Sequence, residues 1–198
     1  MPLLRIEEPV PGVHLGLWRI TEQAGELPMP CAADLSAYHG SRLLEKLATY
    51  ALLQRMTGRN DWVIGHQPSG KPFLDHMHIS VSHTKGWAAL ILSAEREVAV
   101  DIEYVSPRVG RVVSRFMRED EDSHSLRSQL ICWSAKETTF KFFAEDHLVF
   151  FDMRMASLGL SDHGVLGMEN LSRQQLLPVH YDLTPDYVLT WAEGRTDI

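Results

Sequence analysis

A chain of 198 residues can form one large domain or two halves of about 100 residues each, and its 44% hydrophobic and 23% charged content is that of a packed globular protein, which excludes wholesale disorder. The formal net charge of -7 argues against a general nucleic-acid binder, and the two cysteines, Cys31 and Cys132, stand in neither a C-x-x-C nor a zinc-ligand spacing and read as reduced thiols. The opening residues lack a basic stretch followed by an apolar core, and the longest apolar run, Trp87 to Ser93, is far short of the ~20 residues of a membrane span; neither nucleic acid nor membrane is an expected partner, and the cytoplasm is the expected location.

Up to Pro30 the chain mixes proline, glycine and short apolar runs, among which Val13 to Ile20 alternates as a half-buried strand does. From Ser36 to Met56 the residues Leu43, Leu44, Leu47, Ala48, Ala51 and Leu52 recur at helical spacing, and Thr57-Gly58 supplies a stop. Turn residues from Pro68 to Pro72 lead into three strand-like runs, His78 to His83, Ala88 to Leu92 and Val98 to Tyr104, which short polar breaks would join as a meander. A second helix is expected from Val109 to Met117, followed by the acidic run Glu119 to Asp122, which reads as a solvated loop. A longer helix runs from about Ser125 to Phe143, and strand-like pieces return around Met153, Val165 to Met168, Val179 to Leu183 and Tyr187 to Ala192. Helix then strands, twice over, predicts an α+β fold of two similar halves, 1–96 and 97–198, each a long helix packed on a small antiparallel sheet.

Three constellations carry chemistry. In Val98 to Tyr104 the strand period of two puts Asp101 and Glu103 on one face, and two carboxylates that close raise each other's pKa or require a cation between them. An isolated D-x-E is more often an ordinary solvent-facing edge. In Trp133-Ser134-Ala135-Lys136-Glu137-Thr138-Thr139-Phe140-Lys141 the residues Trp133, Glu137 and Lys141 follow one stripe of a helix. A surface Glu-to-Lys pair is the plain reading, but Phe140, Phe142 and Phe143 leave the helix apolar around much of its circumference and favour burial. Three carboxylates with one lysine suit Mg²⁺ and a diphosphate, because the hard cation takes oxygen ligands and the ammonium answers the remaining phosphate charge. The third cluster, Ser80 to Trp87 preceded by Gly70-Lys71-Pro72, offers hydroxyl, imidazole and backbone donors to a phosphate. His76, His78 and His83 lack the spacing of a metal site.

Taken in order, Gly70-Lys71-Pro72, Ile79-Ser80-Val81-Ser82-His83, Val100-Asp101-Ile102-Glu103 and Trp133-Ser134-Ala135-Lys136-Glu137 with Lys141 beyond resemble the 4′-phosphopantetheinyl transferases, specifically the larger single-chain surfactin type. The resemblance implies a pseudo-dimeric α+β fold with the active site between its halves, acting as a monomer. It implies transfer of the 4′-phosphopantetheine group of coenzyme A onto a serine of an apo acyl or peptidyl carrier protein, as in holo-[acyl-carrier-protein] synthases, with release of adenosine 3′,5′-bisphosphate. By the same resemblance Asp101, Glu103 and Glu137 hold Mg²⁺, Glu137 also helps deprotonate the acceptor serine, and Lys141 stabilises the departing nucleotide. Arg42, Lys71, Ser82, His83 and Lys141 correspond to coenzyme A contacts, with His83 near the 3′-phosphate. Tyr50 stands where an arginine is frequent, and Glu121 matches an acidic position kept outside the catalytic set. Arg108, Arg111, Arg115 and Arg118 read most plainly as a solvated face; the resemblance to enzymes with acidic carriers makes them a candidate basic patch, with apolar contacts as the alternative means of recognition. Two rival readings are a catalytically silent module that binds carrier protein or coenzyme A, and a metal-dependent nucleotide phosphohydrolase.

Overall fold

The computed structural model describes residues 3–122, 124–156 and 158–195. It divides into two compact units, one built mainly from residues up to Val98 and the other from Ala99 to Gly194. The fold is mixed α/β, with antiparallel sheets and, among the described residues, two α-helices. Among the described residues, no helix is long and apolar enough to cross a membrane.

In the first unit β1 (Leu3–Val10) and β2 (Val13–Arg19) form a hairpin. The helix α1 (Gly40–Thr57) starts four residues later than the apolar periodicity predicts. Asp34 Oδ1 accepts the Ser36 N–H at 2.9 Å and the Leu35 carbonyl accepts that of Tyr38 at 3.0 Å, so local turns hold the chain out of the helix there. Gly58, in the left-handed region at φ 72, ends it as the Thr57-Gly58 signal predicts. The short β3 (Gly65–His66) and β4 (Pro72–Phe73) pair with each other. Then β5 (His78–Thr84) and β6 (Trp87–Ser93) complete a four-stranded sheet in the order β1-β2-β6-β5. The helix α1 lies on β2 and β6. Its Leu47, Ala48, Ala51 and Leu52 share a core with Ala88, Leu90 and Leu92. A Cβ on Gly16 of β2 would stand 2.6 Å from Met56 Sδ and 2.8 Å from a Leu52 methyl, so the bare glycine is what lets the helix approach.

The expected meander is not continuous. The next strand, β7 (Arg96–Tyr104), belongs to the other sheet, because β6 already pairs with β2 on one edge and β5 on the other. The segment expected as a second helix forms two 3₁₀ turns, Pro107–Arg111 and Val113–Arg115. Gly110 and three β-branched valines in this short stretch oppose a regular helix. After it comes α2 (Leu126–Phe142), capped by the Ser125 hydroxyl, which accepts the Ser128 N–H at 3.0 Å. The strands β8 (Met153–Met155), β9 (His163–Asn170), β10 (Gln175–Leu183) and β11 (Tyr187–Arg195) follow, giving the order β7-β11-β10-β9-β8. The helix packs on β8, β9 and β10, with Leu130, Ile131 and Ala135 in one core with Met153, Met168 and Val179.

The acidic run is not wholly solvated. Glu121 pairs with Lys136 Nζ at 2.8 Å, and both side chains are 0% exposed. Lys136 also donates to the Phe116 and Phe150 carbonyls at 2.7 and 3.2 Å, while Glu121 accepts the Arg118 and Met155 N–H groups at 2.7 and 2.6 Å. The pair closes the 116–121 turn against α2 and β8. Phe140, expected to add to burial of the helix, is 42% exposed.

Candidate active site

Asp101 and Glu103 share one face of β7, and the stripe of α2 that carries Trp133, Glu137 and Lys141 meets their carboxylates in turn. Trp133 donates its indole N–H to Glu103 Oε1 at 2.9 Å. Two turns along the helix, Lys141 Nζ donates to Asp101 Oδ1 at 2.7 Å and to the Val100 carbonyl at 3.0 Å. The helix therefore runs antiparallel to the strand here, with Glu137 between the two contacts. Lys141 does not pair simply with the glutamate one turn before it; its ammonium is committed to Asp101, which is 3% exposed and whose other oxygen accepts the Ser134 hydroxyl at 2.8 Å. Burial pushes the Glu137 carboxyl up to about 7, Asp101 and Glu103 add to the rise, and Lys141 opposes it. A carboxyl poised there can take and return a proton near neutral pH.

The donor set is of the kind Mg²⁺ selects, hard carboxylate oxygens, and the charges of Asp101 and Glu103, which add to the burial-driven rise of Glu137, are ones a divalent cation would offset. As the side chains stand, however, no three His, Cys, Asp or Glu among the described residues converge closely enough to hold a metal ion. Asp101 is turned to Lys141 and Ser134, and Glu103 to Trp133. A cation there requires the Glu103 carboxylate to turn from Trp133 and Asp101 Oδ1 to be shared between Lys141 and the metal, while Oδ2 stays on Ser134.

Of the residues matched to coenzyme A contacts in the first unit, Arg42 and His83 are brought together. Arg42 donates to His83 Nε2 at 2.6 Å, and His83 Nδ1 stands 3.3 Å from Glu45, whose carboxylate also accepts Arg42 at 3.2 Å. A guanidinium only donates, so Nε2 accepts, Nδ1 carries the hydrogen, and the imidazole is neutral. Burial holds the His83 pKa low; Glu45 opposes this, and Arg42 and Lys46 reinforce it. Lys71 belongs to a different set, with Glu97 Oε1 at 2.7 Å and Glu97 in turn 3.2 Å from His78 Nδ1. Ser82 is buried on β5. Tyr50, in place of an arginine, accepts the Ile64 N–H on its hydroxyl at 3.2 Å and so anchors the backbone leading into β3. On that strand His66 is held below the usual imidazole pKa by burial and then by Lys46 and Arg42. The sequence reading missed His66 and Glu97; the Gly65-His66 step just before the Pro68 turn was the available signal for the first, and nothing in spacing marks the second.

One comparison bears on this cluster directly. Residues 97–192 match the family model of the 4′-phosphopantetheinyl transferase superfamily. The match spans just under half of the chain and includes every side chain of the Asp101, Glu103, Glu137 and Lys141 cluster. It supports a phosphopantetheinyl transferase role in general terms. A comparison with curated proteins found no match. The superfamily stretch also takes in Glu121 and Lys136, whose mutual burial gives the acidic position outside the catalytic set a structural task.

Proposed function

We propose that the protein is a Mg²⁺-dependent transferase that moves the 4′-phosphopantetheine group of coenzyme A onto a serine of an apo acyl or peptidyl carrier protein and releases adenosine 3′,5′-bisphosphate. The observation that carries the reading is the meeting of the α2 stripe with the β7 carboxylates, inside the stretch that matches the superfamily. In this reading Asp101, Glu103 and Glu137 hold the cation, which supplies Lewis-acid neutralisation of the diphosphate. Glu137 accepts the proton of the serine hydroxyl as its oxygen bonds to the pantetheine-side phosphorus, and the phosphoanhydride bond to the nucleotide breaks. Lys141, already held at the site by Asp101, answers the charge left on the departing bisphosphate. In the first unit Arg42 and His83, with Lys71 and Ser82, contact coenzyme A; Arg42 and Lys46, the cations acting on both His83 and His66, favour an anionic ligand there against the opposing carboxylate of Glu45.

The surfactin type is part of the proposal, supported by the recurrence of one long helix on an antiparallel sheet in each unit, and with it go action as a monomer and a cytoplasmic setting. Since the chain is itself acidic, docking of an acidic carrier falls to a local patch that includes Arg108, Arg111 and Arg115.

The test is incubation of the purified protein with coenzyme A, Mg²⁺ and several apo carriers, read by mass spectrometry. A carrier heavier by one phosphopantetheine is expected, and Glu137→Gln is expected to abolish the gain while leaving the fold intact. Bisphosphate release without carrier modification would assign hydrolysis instead, and binding without either product would leave a silent module.

A further inference from the structure

The support of Asp101 does not stop at Ser134. Ser134 Oγ lies 2.9 Å from Thr190 Oγ1, and that oxygen lies 2.6 Å from Thr138 Oγ1. Ser134 and Thr138 stand one turn apart on α2. Thr190 sits on β11 between Val188 and Ala192, the alternate residues that face the same core as Ala135. All three hydroxyl-bearing residues are 0% exposed. Three hydroxyls in a core are costly unless each finds a partner, so their mutual arrangement invites an explanation beyond packing.

Counting hydrogens sets the direction of the chain. The Asp101 carboxylate, ion-paired with Lys141, only accepts, so Ser134 donates its single hydrogen to Oδ2. Towards Thr190 the Ser134 oxygen can then only accept. Thr190 donates, its hydrogen shared between Ser134 Oγ and the Ser134 carbonyl, which lies 2.9 Å away. Having given its hydrogen, Thr190 accepts that of Thr138. Every side-chain donation in the chain then runs towards Asp101, with Thr190 dividing its hydrogen between Ser134 Oγ and the Ser134 carbonyl, and successive bonds of this kind strengthen one another. Thr139, the neighbouring buried hydroxyl, takes no part; it bonds back to the Ala135 carbonyl at 2.8 Å.

We propose that Thr190 is a positioning residue for the Asp101 carboxylate: with Thr138 behind it and Ser134 in front, it commits one oxygen of Asp101 to the protein and leaves the other to Lys141 and the cation. The proposal rests on the reading of Asp101 as a cation ligand. Groups that orient a metal ligand in this way change metal affinity by roughly 10- to 100-fold when removed.

Manganese(II), counted by its electron paramagnetic resonance signal, serves as the probe, titrated into the full chain with coenzyme A present and carrier absent. Thr190→Val preserves the shape and removes the hydroxyl; Thr138 can then turn its hydrogen to the residue 190 carbonyl, 3.3 Å away, so no donor is orphaned. Mn²⁺ binding is expected to weaken about tenfold in Thr190→Val and to return to within about twofold of the parent in Thr190→Ser, with Thr139→Val unchanged. In steady state Thr190→Val is expected to raise KM for Mg²⁺ and to keep its kcat at saturating metal. Equal Mn²⁺ affinity in Thr190→Val and the parent, whatever their melting temperatures, would overturn the positioning role. A parent protein that binds no Mn²⁺ overturns the cation site itself, and the proposal with it.

Discussion

Lys136 stands next to Glu137 in the sequence yet faces a different environment, and the contrast explains what the W-S-x-K-E stretch does. Its ammonium is fully buried and shared among Glu121 and two carbonyls. Removing one member of such a pair leaves the other as an unpaired buried charge, which costs about 3 to 5 kcal/mol, whereas an apolar replacement of both is often tolerated. Urea unfolding is expected to find Lys136→Met destabilised by about that amount and the double change Lys136→Met with Glu121→Gln, which keeps an acceptor for the Arg118 and Met155 N–H groups, partly restored. Additive losses would contradict the pairing. Residue types were the most legible part of the chain. The period-two reading of Asp101 and Glu103 and the helical stripe of Trp133, Glu137 and Lys141 correspond to real shared faces. Partners were not legible: that Lys141 serves Asp101, or that Glu121 leaves the acidic run to bury itself, depends on contacts 40 and 15 positions apart.

Elements were read well where their signals were local and long. The Thr57-Gly58 stop and the span of α2 came from periodicity and capping, which act over a few residues. Errors arose where a neighbour decides: β7 was read into a meander because pairing is set by which sheet edges are open, and a strand pattern carries no address for its partner. The stretch after Pro107 has apolar residues enough for a helix but too little propensity and length to sustain one. Close approach is likewise invisible in a lone glycine. Gly16→Ala is expected to lower stability by about 1 to 2 kcal/mol, since the flexible Met56 and Leu52 ends yield only in part. Thermal melting of Gly16→Ala, alone and with Met56→Ala to open space, checks this; a loss that Met56→Ala does not reduce would place the strain elsewhere.

At the scale of the whole molecule, stability without metal responds to pH through groups of opposite sign. Burial raises Glu137 from 4.5 to about 7, so its contribution is complete below the ordinary carboxylate range and is lost as pH rises through about 7. His180, stacked on Trp191 with ring centroids 3.7 Å apart, is held low by burial against the pull of Glu193; its contribution is complete above the ordinary imidazole range and is lost as pH falls through its lowered value. Unfolding measured from about pH 5 to about pH 8 is expected to show Glu137→Gln gaining on the parent with rising pH, by up to about 3 kcal/mol. His180→Phe is expected to lose less stability than the parent on the acid side. A Glu137→Gln curve parallel to the parent's would refute the electrostatic account of that carboxyl.

The indole N–H of Trp133 ends on the carboxylate of Glu103, so an electron-rich ring is tethered to an anion inside the cluster. Emission from an indole depends on the charge near its pyrrole nitrogen. Any event that draws Glu103 away therefore changes the colour of this one tryptophan among the five. The difference between the spectra of the parent and Trp133→Phe isolates it, and the protein thereby carries an optical indicator of its own, readable without label, substrate turnover or carrier.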